Sequence, residues 1–348
     1  MIKVLVVEDS PVVREFLIHI LESDPEIRVV GTASNGEEAL HAVQGRKPDV
    51  ITMDIHMPKM DGFEATRRIM ETHAAPIIIV SGSSDSQEVA ATFRAVEVGA
   101  LAVLPRPKGI GDPEHEATVS EFVRTVKLMS EVKVVRRWAR LKKTPSCLPT
   151  QTFGLERPAA KIRVVAIGAS TGGPIALQTI LSQLKNDFPV PLLVVQHMCP
   201  GFVQGFADWL SHATGFSVHV ASHGEPILPA HAYVAPDGFH MGVAAPDRIE
   251  LRRDEPMNGL CPSISYLFRS VATVYGQNAV GVVLTGMGRD GVEELKLMKD
   301  RGAVTVAQDE ESSVVPGMPG EAIKLDAASY VLSPDRIAAM LMGLVNKR

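Results

Sequence analysis

Asp49-Val-Ile-Thr-Met-Asp54-Ile-His-Met-Pro58-Lys-Met-Asp-Gly62 runs a short, partly β-branched apolar stretch straight into a carboxylate. A turn rich in Pro, Asp and Gly follows, before a helical pattern resumes over Phe63–Met70. An apolar run of this length without alternation suits a strand buried on both faces of a parallel sheet. Working outward, the same unit recurs. Strands are predicted at Ile2–Val7, Arg28–Val30, Ile77–Val80 and Leu101–Leu104, with helical patterns from Val12 and over Glu37–Val43 and Ser86–Val98. Strand–helix alternation of this kind predicts an α/β domain, a flavodoxin-like doubly wound (βα)5 sheet in the order 2-1-3-4-5. One more amphipathic pattern, Glu116–Arg140, predicts a closing helix, so the first domain spans 1–125 with that helix running to about 140.

Residues 141–161 carry Pro145, Pro149, Gly154 and Pro158 with little periodicity and read as a linker. A second α/β pattern, 162–348, then begins. Its strands are predicted at Ile162–Ile167, Leu192–Gln196, Ala232–Ala235, Ala279–Leu284, Ala303–Val306 and Tyr330–Leu332. Its helices are predicted at Pro174–Leu184, Phe202–His212, Ser263–Tyr275, Val292–Arg301, Pro319–Ile323 and Asp335–Val345, and the whole reads as a doubly wound, mostly parallel sheet.

A chain of 348 residues is long for one core, which agrees with two domains. The formal charge of −5 and the lack of a basic helical patch argue against nucleic acid as a partner. No apolar run approaches the length of a membrane span, and the N-terminal strand lacks the features of a signal peptide. Cys147, Cys199 and Cys261 lie far apart without metal-ligand spacing, as expected of reduced thiols in a cytoplasmic protein.

Two groups of residues carry chemistry. In the first domain, Glu8 and Asp9 follow strand one and Asp54 follows strand three, so the 2-1-3 order places three carboxylates beside the switch point. Such a trio repels itself unless a hard cation such as Mg²⁺ neutralises it. An aspartate so placed can accept a phosphoryl group, and Ser81 after strand four can hydrogen-bond it. Loop carboxylates also serve as solvated groups or helix caps, and spacing alone leaves both readings open.

In the second domain, Gly168-Ala-Ser170-Thr171-Gly172-Gly173-Pro174 forms a G-x-S-x-G turn between strand and helix. Small neighbours allow the sharp turn that exposes a serine hydroxyl. Gly-rich turns at this place also bind phosphates, as in nucleotide-binding or oxidoreductase domains, although the G-x-G-x-x-G spacing and an acidic ribose partner are missing. His197 ends the next strand, and Thr285-Gly-Met287-Gly-Arg-Asp290-Gly291 follows a later one. Ser170, His197 and Asp290 thus fall at carboxyl ends of predicted parallel strands, in the order nucleophile, base, orienting acid. The other histidines, among them His212, His219, His223, His231 and His240, read as surface or loop residues, and Asp290 could equally cap the helix after it.

Val-Val-Glu-Asp-Ser, Asp54-Ile-His-Met-Pro-Lys-Met-Asp-Gly62 and Ser81 resemble the receiver domain of bacterial response regulators. The resemblance implies Asp54 as phosphoacceptor and Glu8, Asp9, Asp54 and the main chain of His56 as holders of Mg²⁺. The chain departs from the pattern at Arg106-Pro107, where receivers have Lys-Pro, and at Val103, where an aromatic residue is usual. Arginine is not a conservative replacement for lysine at a phosphate site, though Arg106 still supplies positive charge.

Gly168–Gly173, Gln196-His197-Met198, Pro200-Gly-Phe202, Ala235-Pro236 and Leu284–Gly291 resemble the catalytic domain of chemotaxis protein-glutamate methylesterases. The resemblance implies that Ser170, His197 and Asp290 hydrolyse receptor glutamyl methyl esters and deamidate receptor glutamines. It further implies supporting roles for Thr171 and the Met287 main-chain N–H. Methyl-accepting chemoreceptors are the implied substrate, and a chemotaxis histidine kinase is the implied phosphodonor. The resemblance also implies an unphosphorylated receiver packed over the catalytic cleft, and a catalytic domain without a cofactor. A catalytically silent regulator that only binds a receptor or kinase is the competing reading.

Overall fold

The structure is a computed structural model that describes residues 1–82, 85–132, 134, 161–244 and 247–345. The chain forms two compact units, Met1–Leu148 and Pro149–Arg348.

The first unit alternates β1 (Ile2–Val7), α1 (Pro11–Glu22), β2 (Ile27–Ala33), α2 (Gly36–Arg46), β3 (Val50–Met53), α3 (Gly62–Thr72), β4 (Ile77–Ser81), α4 (Ser86–Glu97), β5 (Ala102–Pro105) and α5 (His115–Ser130). Its strands lie in the order β2-β1-β3-β4-β5, all parallel, as the alternation predicts. Leu5, Ile51, Met53, Ile77 and Ile79 are fully enclosed between the helical layers. Each such side chain contributes about 1.5–3 kcal/mol by leaving water, and truncating one to alanine costs about 2–5 kcal/mol. Helix starts are set by side-chain caps. Asn35 accepts the Glu38 N–H, Asp61 the Glu64 N–H and Asp85 the Gln87 N–H.

One expectation is corrected here. The helix predicted to reach Arg140 ends at Ser130. The β-branched Val132 and Val134 favour helix poorly, and Val134 packs against the core of the first unit instead of continuing the helical face. Residues 135–160, which include nearly all of the expected linker, lie outside the described residues.

The second unit begins with β6 (Val164–Ala169), α6 (Gly173–Leu181), β7 (Leu192–Gln196), α7 (Val203–Thr214), β8 (Ser217–Val220) and β9 (His231–Val234). A hairpin, β10 (His240–Ala244) and β11 (Arg248–Arg252), precedes α8 (Ile264–Val274). Then come β12 (Ala279–Val283), α9 (Val292–Asp300), β13 (Val304–Gln308), α10 (Gly317–Lys324), β14 (Tyr330–Leu332) and α11 (Pro334–Val345). Seven strands form one parallel sheet, β14-β13-β12-β6-β7-β9-β8. The central β6 is flanked by β7 on one side and β12 on the other, so the strand order reverses at β6 and opens a crevice at the carboxyl ends of these three strands.

The sequence reading misses β8, β10 and β11. Ser-Val-His-Val in β8 is a short, half-polar edge strand, and the hairpin packs on α8 rather than joining the main sheet. Ser270 on α8 fixes it by accepting the Val243 N–H at 2.7 Å. Among the described residues, no helix is long and apolar enough to cross a membrane.

Candidate active site

Ser170 leaves β6 at the centre of the seven-stranded sheet, and its N–H donates to the Thr285 carbonyl beyond β12 at 3.0 Å. Gly172, at φ +79°, closes the turn, and the Gly173 N–H returns to the Ser170 carbonyl at 2.8 Å. A side chain on Gly286 would place its Cβ 2.5 Å from the Ser170 Cβ, so only glycine lets the Thr285–Gly288 loop lie against the serine. Among the described residues, no acceptor faces the main-chain N–H of Thr171 or of Met287. Both donors flank Ser170, one following it directly and one on the loop pressed against it. Two such N–H groups can receive an oxyanion.

His197 stands on the neighbouring strand end. Its N–H donates to the Ala169 carbonyl at 2.9 Å, and its ring Nε2 lies 2.9 Å from Asp290 Oδ2. A carboxylate only accepts, so the neutral ring carries its proton on Nε2 and leaves Nδ1 as the basic nitrogen. The loop beyond His197 is pinned where Asp237 accepts the Gly201 N–H at 2.7 Å.

Asp290 is buried, with 4% of its surface exposed, yet it stays ionised. Burial is the largest single influence and disfavours the charge. The hydrogen bond and charge of His197, with donors from Ser263 and Ile264, outweigh burial and hold the acid at about 2. Asp290 Oδ2 accepts the Ile264 N–H at 2.6 Å, and Oδ1 accepts the Ser265 N–H at 3.1 Å and the Ser263 hydroxyl at 2.8 Å. The carboxylate therefore seats on the N-terminus of α8, where free N–H groups and the helix dipole favour negative charge. A capping role is thus present, but for α8 rather than for α9, whose N-cap position is Gly291 and which has no side-chain cap.

His240 corrects another expectation. It is fully buried on β10, accepts the Ser263 N–H at Nδ1 (3.2 Å), faces the Glu255 carbonyl through Nε2 and stacks on Tyr266. It supports the segment that holds Asp290. His212, His219, His223 and His231 take no part in this group of contacts.

In the first unit, the carboxylates of Glu8, Asp9 and Asp54 converge, each offering an oxygen within 4.8 Å of the others. Glu8 and Asp54 are almost fully enclosed, and burial is the main influence that pushes both above the ordinary carboxylate value, with the charge of Asp54 raising Glu8 further and that of Asp9 raising both. Arg106 Nη2 lies 3.2 Å from Glu8 Oε2, giving the pocket one partial counter-charge. Ser81 ends β4 beside it, with its carbonyl accepting the Arg106 N–H at 2.7 Å. His56 is exposed, and its carbonyl accepts no hydrogen bond among the described residues. Hard oxygen donors, surplus negative charge and a free carbonyl suit a small divalent cation. Gly62 is obligatory here, because a Cβ would sit 2.0 Å from the Asp54 carbonyl oxygen.

Both units resemble known proteins. The family model for CheB methylesterase matches residues 165–341, and that for the response regulator receiver domain matches 4–112. The chain belongs to the CheB methylesterase family. A protein-glutamate methylesterase/protein-glutamine glutaminase of Nitrosospira multiformis is 59% identical over 348 residues, covering 100% of this chain and 98% of the relative. One from Geobacter metallireducens is 54% identical, with both chains covered in full. The crystal structure of the Thermotoga maritima CheB methylesterase catalytic domain superposes with a TM-score of 0.52 at 36% identity, covering 53% of this chain and 100% of that one. The chain is accordingly a protein-glutamate methylesterase/glutaminase with a receiver domain, and not a silent regulator or a nucleotide-binding enzyme.

Within this CheB fold, sequence reasoning overlooks Ser263, Ser265, Gln196 and Thr285. The sequence reading places Ser263 as the first residue of a helix, whereas it is the N-cap of α8 and its hydroxyl reaches Asp290 instead of its own helix. Gln196 and Thr285 read as the polar ends of apolar strands. The signal was their place, one residue before His197 and at the head of the Gly286-Met287 turn. Thr285 Oγ1 lies 2.9 Å from the Thr171 carbonyl and accepts the Val315 N–H at 2.9 Å, tying the serine turn to a third loop.

Proposed function

We propose that the second unit hydrolyses glutamyl methyl esters on methyl-accepting chemoreceptors to glutamate and methanol, and deamidates receptor glutamines to glutamate and ammonia. Ser170, His197 and Asp290 carry the reaction. The observation that supports it is the His197–Asp290 bond beside the Ser170 turn, at the carboxyl ends of three adjacent strands. His197 Nδ1 takes the hydroxyl proton as Ser170 Oγ attacks the ester carbonyl, and the oxyanion lies against the Thr171 and Met287 N–H groups. His197 then gives that proton to the departing methoxy oxygen, releasing methanol. A water, deprotonated by the same ring, cleaves the acyl-serine to glutamate and restores Ser170. Asp290 keeps the ring oriented and offsets its positive charge.

The domain plan proposed for this chemistry is a receiver over 1–125, a linker over 141–161 and a catalytic domain over 162–348, in a cytoplasmic protein. Asp54 accepts a phosphoryl group from a chemotaxis histidine kinase, and its phosphorylation controls the esterase. Glu8, Asp9, Asp54 and the His56 carbonyl would hold Mg²⁺, which neutralises charge on the transferring group. Ser81 and Arg106 contact the bound phosphoryl oxygens.

The test is methanol release from a methyl-esterified chemoreceptor fragment by wild type and Ser170→Ala, each with and without acetyl phosphate. Loss of release in the variant, and a faster wild type with the phosphodonor, are expected. A Ser170→Ala protein with the native rate would refute the assignment.

A further inference from the structure

The amide nitrogen of Gln196 lies 2.8 Å from the carbonyl oxygen of Ser170 and 2.9 Å from that of His197. Both neighbours are carbonyl oxygens, so the nitrogen of this carboxamide must face them, with one hydrogen for each. One side chain therefore ties the residue that attacks to the residue that takes its proton. Its oxygen, by contrast, is buried without a partner among the described residues. It lies against Gly173, where any side chain would bring a Cβ to 2.1 Å of it. The fold thus accepts a stranded buried acceptor in order to keep this orientation, an arrangement rare enough to require a reason.

The reason lies in the peptide that Gln196 grips. In a trans peptide the C=O and the following N–H point in opposite directions. The Ser170 carbonyl is held from one side by Gln196 and by the Gly173 N–H at 2.8 Å, which fills both its lone pairs. The N–H of that same peptide belongs to Thr171 and has no acceptor among the described residues. Two donors on the carbonyl also polarise the peptide and strengthen its N–H as a donor. We infer that Gln196 is a positioning residue for the esterase, fixing the Ser170–Thr171 peptide so that the Thr171 N–H meets the oxyanion. This inference rests on the serine-esterase reading above.

Ser170–Thr171 is the sole Ser-Thr pair in the sequence. Full-length protein labelled with ¹³C′-serine and ¹⁵N-threonine therefore gives one carbonyl–amide correlation from this peptide alone. In the wild type the doubly bonded carbonyl carbon is expected downfield of the ordinary serine position. Gln196→Met and Gln196→Glu, neither of which offers the NH₂ pair, are expected to move it upfield. They should also lower kcat for methanol release from the methyl-esterified receptor fragment by about tenfold to a hundredfold, with KM held within about twofold. An ordinary wild-type carbonyl shift overturns the inference without any variant. So does an unmoved correlation in the variants, or a moved one with unchanged kcat. Full activity in Ser170→Ala would refute the esterase reading separately, leaving the carbonyl shift to report on Gln196.

Discussion

His197 turns its Nε2 to Asp290 at 2.9 Å, and Asp290 meets it with the same oxygen that accepts the Ile264 N–H at the head of α8. One carboxylate thus holds the imidazole and caps a helix, so the proposed catalytic role and the stability of the fold meet in a single group.

Replacing Asp290 by Asn should damage both. The amide NH₂ must face either the His197 N–H or the α8 N–H groups, donor against donor. A loss of kcat of roughly four orders of magnitude is expected, as when the orienting acid of a serine triad is amidated. The acid sits near 2, below its ordinary value of 3.8. Its contribution to stability is therefore present above about pH 4 and lost as the pH falls towards 2. Urea unfolding should show wild type and Asp290→Asn well separated at pH 6 and converging on acidification, and a constant gap would contradict the shift.

Ser263→Ala removes the hydroxyl on Asp290 Oδ1 while leaving the two main-chain donors. A hydrogen bond to a charged group contributes about 1.5–3 kcal/mol, so a fall in kcat of roughly tenfold is expected. Ser263→Thr keeps the donor and should recover most of the rate. Equal rates in all three proteins would show that this bond does not orient the acid.

The ring of His197 offers a spectroscopic check. With Nε2–H on the carboxylate, Nδ1 is the unprotonated nitrogen of the resting enzyme. Histidine ¹⁵N spectra above neutral pH should show one ring whose Nε2 bears the proton and whose Nε2 signal moves in Asp290→Asn. A proton found on Nδ1 would reverse the proposed base.

In the receiver, burial first and then neighbouring carboxylate charge (Asp54 and Asp9 on Glu8, Asp9 on Asp54) raise Glu8 and Asp54 above their ordinary values. Ionising them therefore costs stability, which is lost as the pH rises through the raised values. A bound cation relieves that cost, so Mg²⁺ should raise the receiver's unfolding temperature at pH 8 and do less near pH 4, where Glu8 and Asp54 take up protons in competition with it. Calorimetric scans with and without Mg²⁺ check this, and equal effects at both pH values would count against the three carboxylates as its ligands.

Arg106 lies 3.2 Å from Glu8, so in the proposed Mg²⁺ site it would compete with the cation for that carboxylate. Arg106→Gln removes the competing charge and should tighten Mg²⁺ several-fold in an isothermal titration, since about 1.4 kcal/mol is tenfold. Transfer from acetyl phosphate should slow in the same variant. Weaker Mg²⁺ binding would show instead that Arg106 organises the pocket.

Much of this protein could be read from its letters because the signals are local. Branched runs such as Ile77–Val80 predict buried strands, and strand ends in a parallel sheet lie at one rim, so Asp54, Ser170, His197 and Asp290 could be placed there by counting. What the letters withhold depends on partners distant in the chain. Ser263, Gln196 and Thr285 carry short polar side chains whose meaning is set by whichever carboxylate or carbonyl the fold brings within about 3 Å. Likewise, that His240 is buried, and that Asp290 caps α8 and not the helix beside it, follows from the order β12-β6-β7 and from the hairpin packed on α8. Periodicity, which records only solvent-facing and core-facing sides, carries no trace of either.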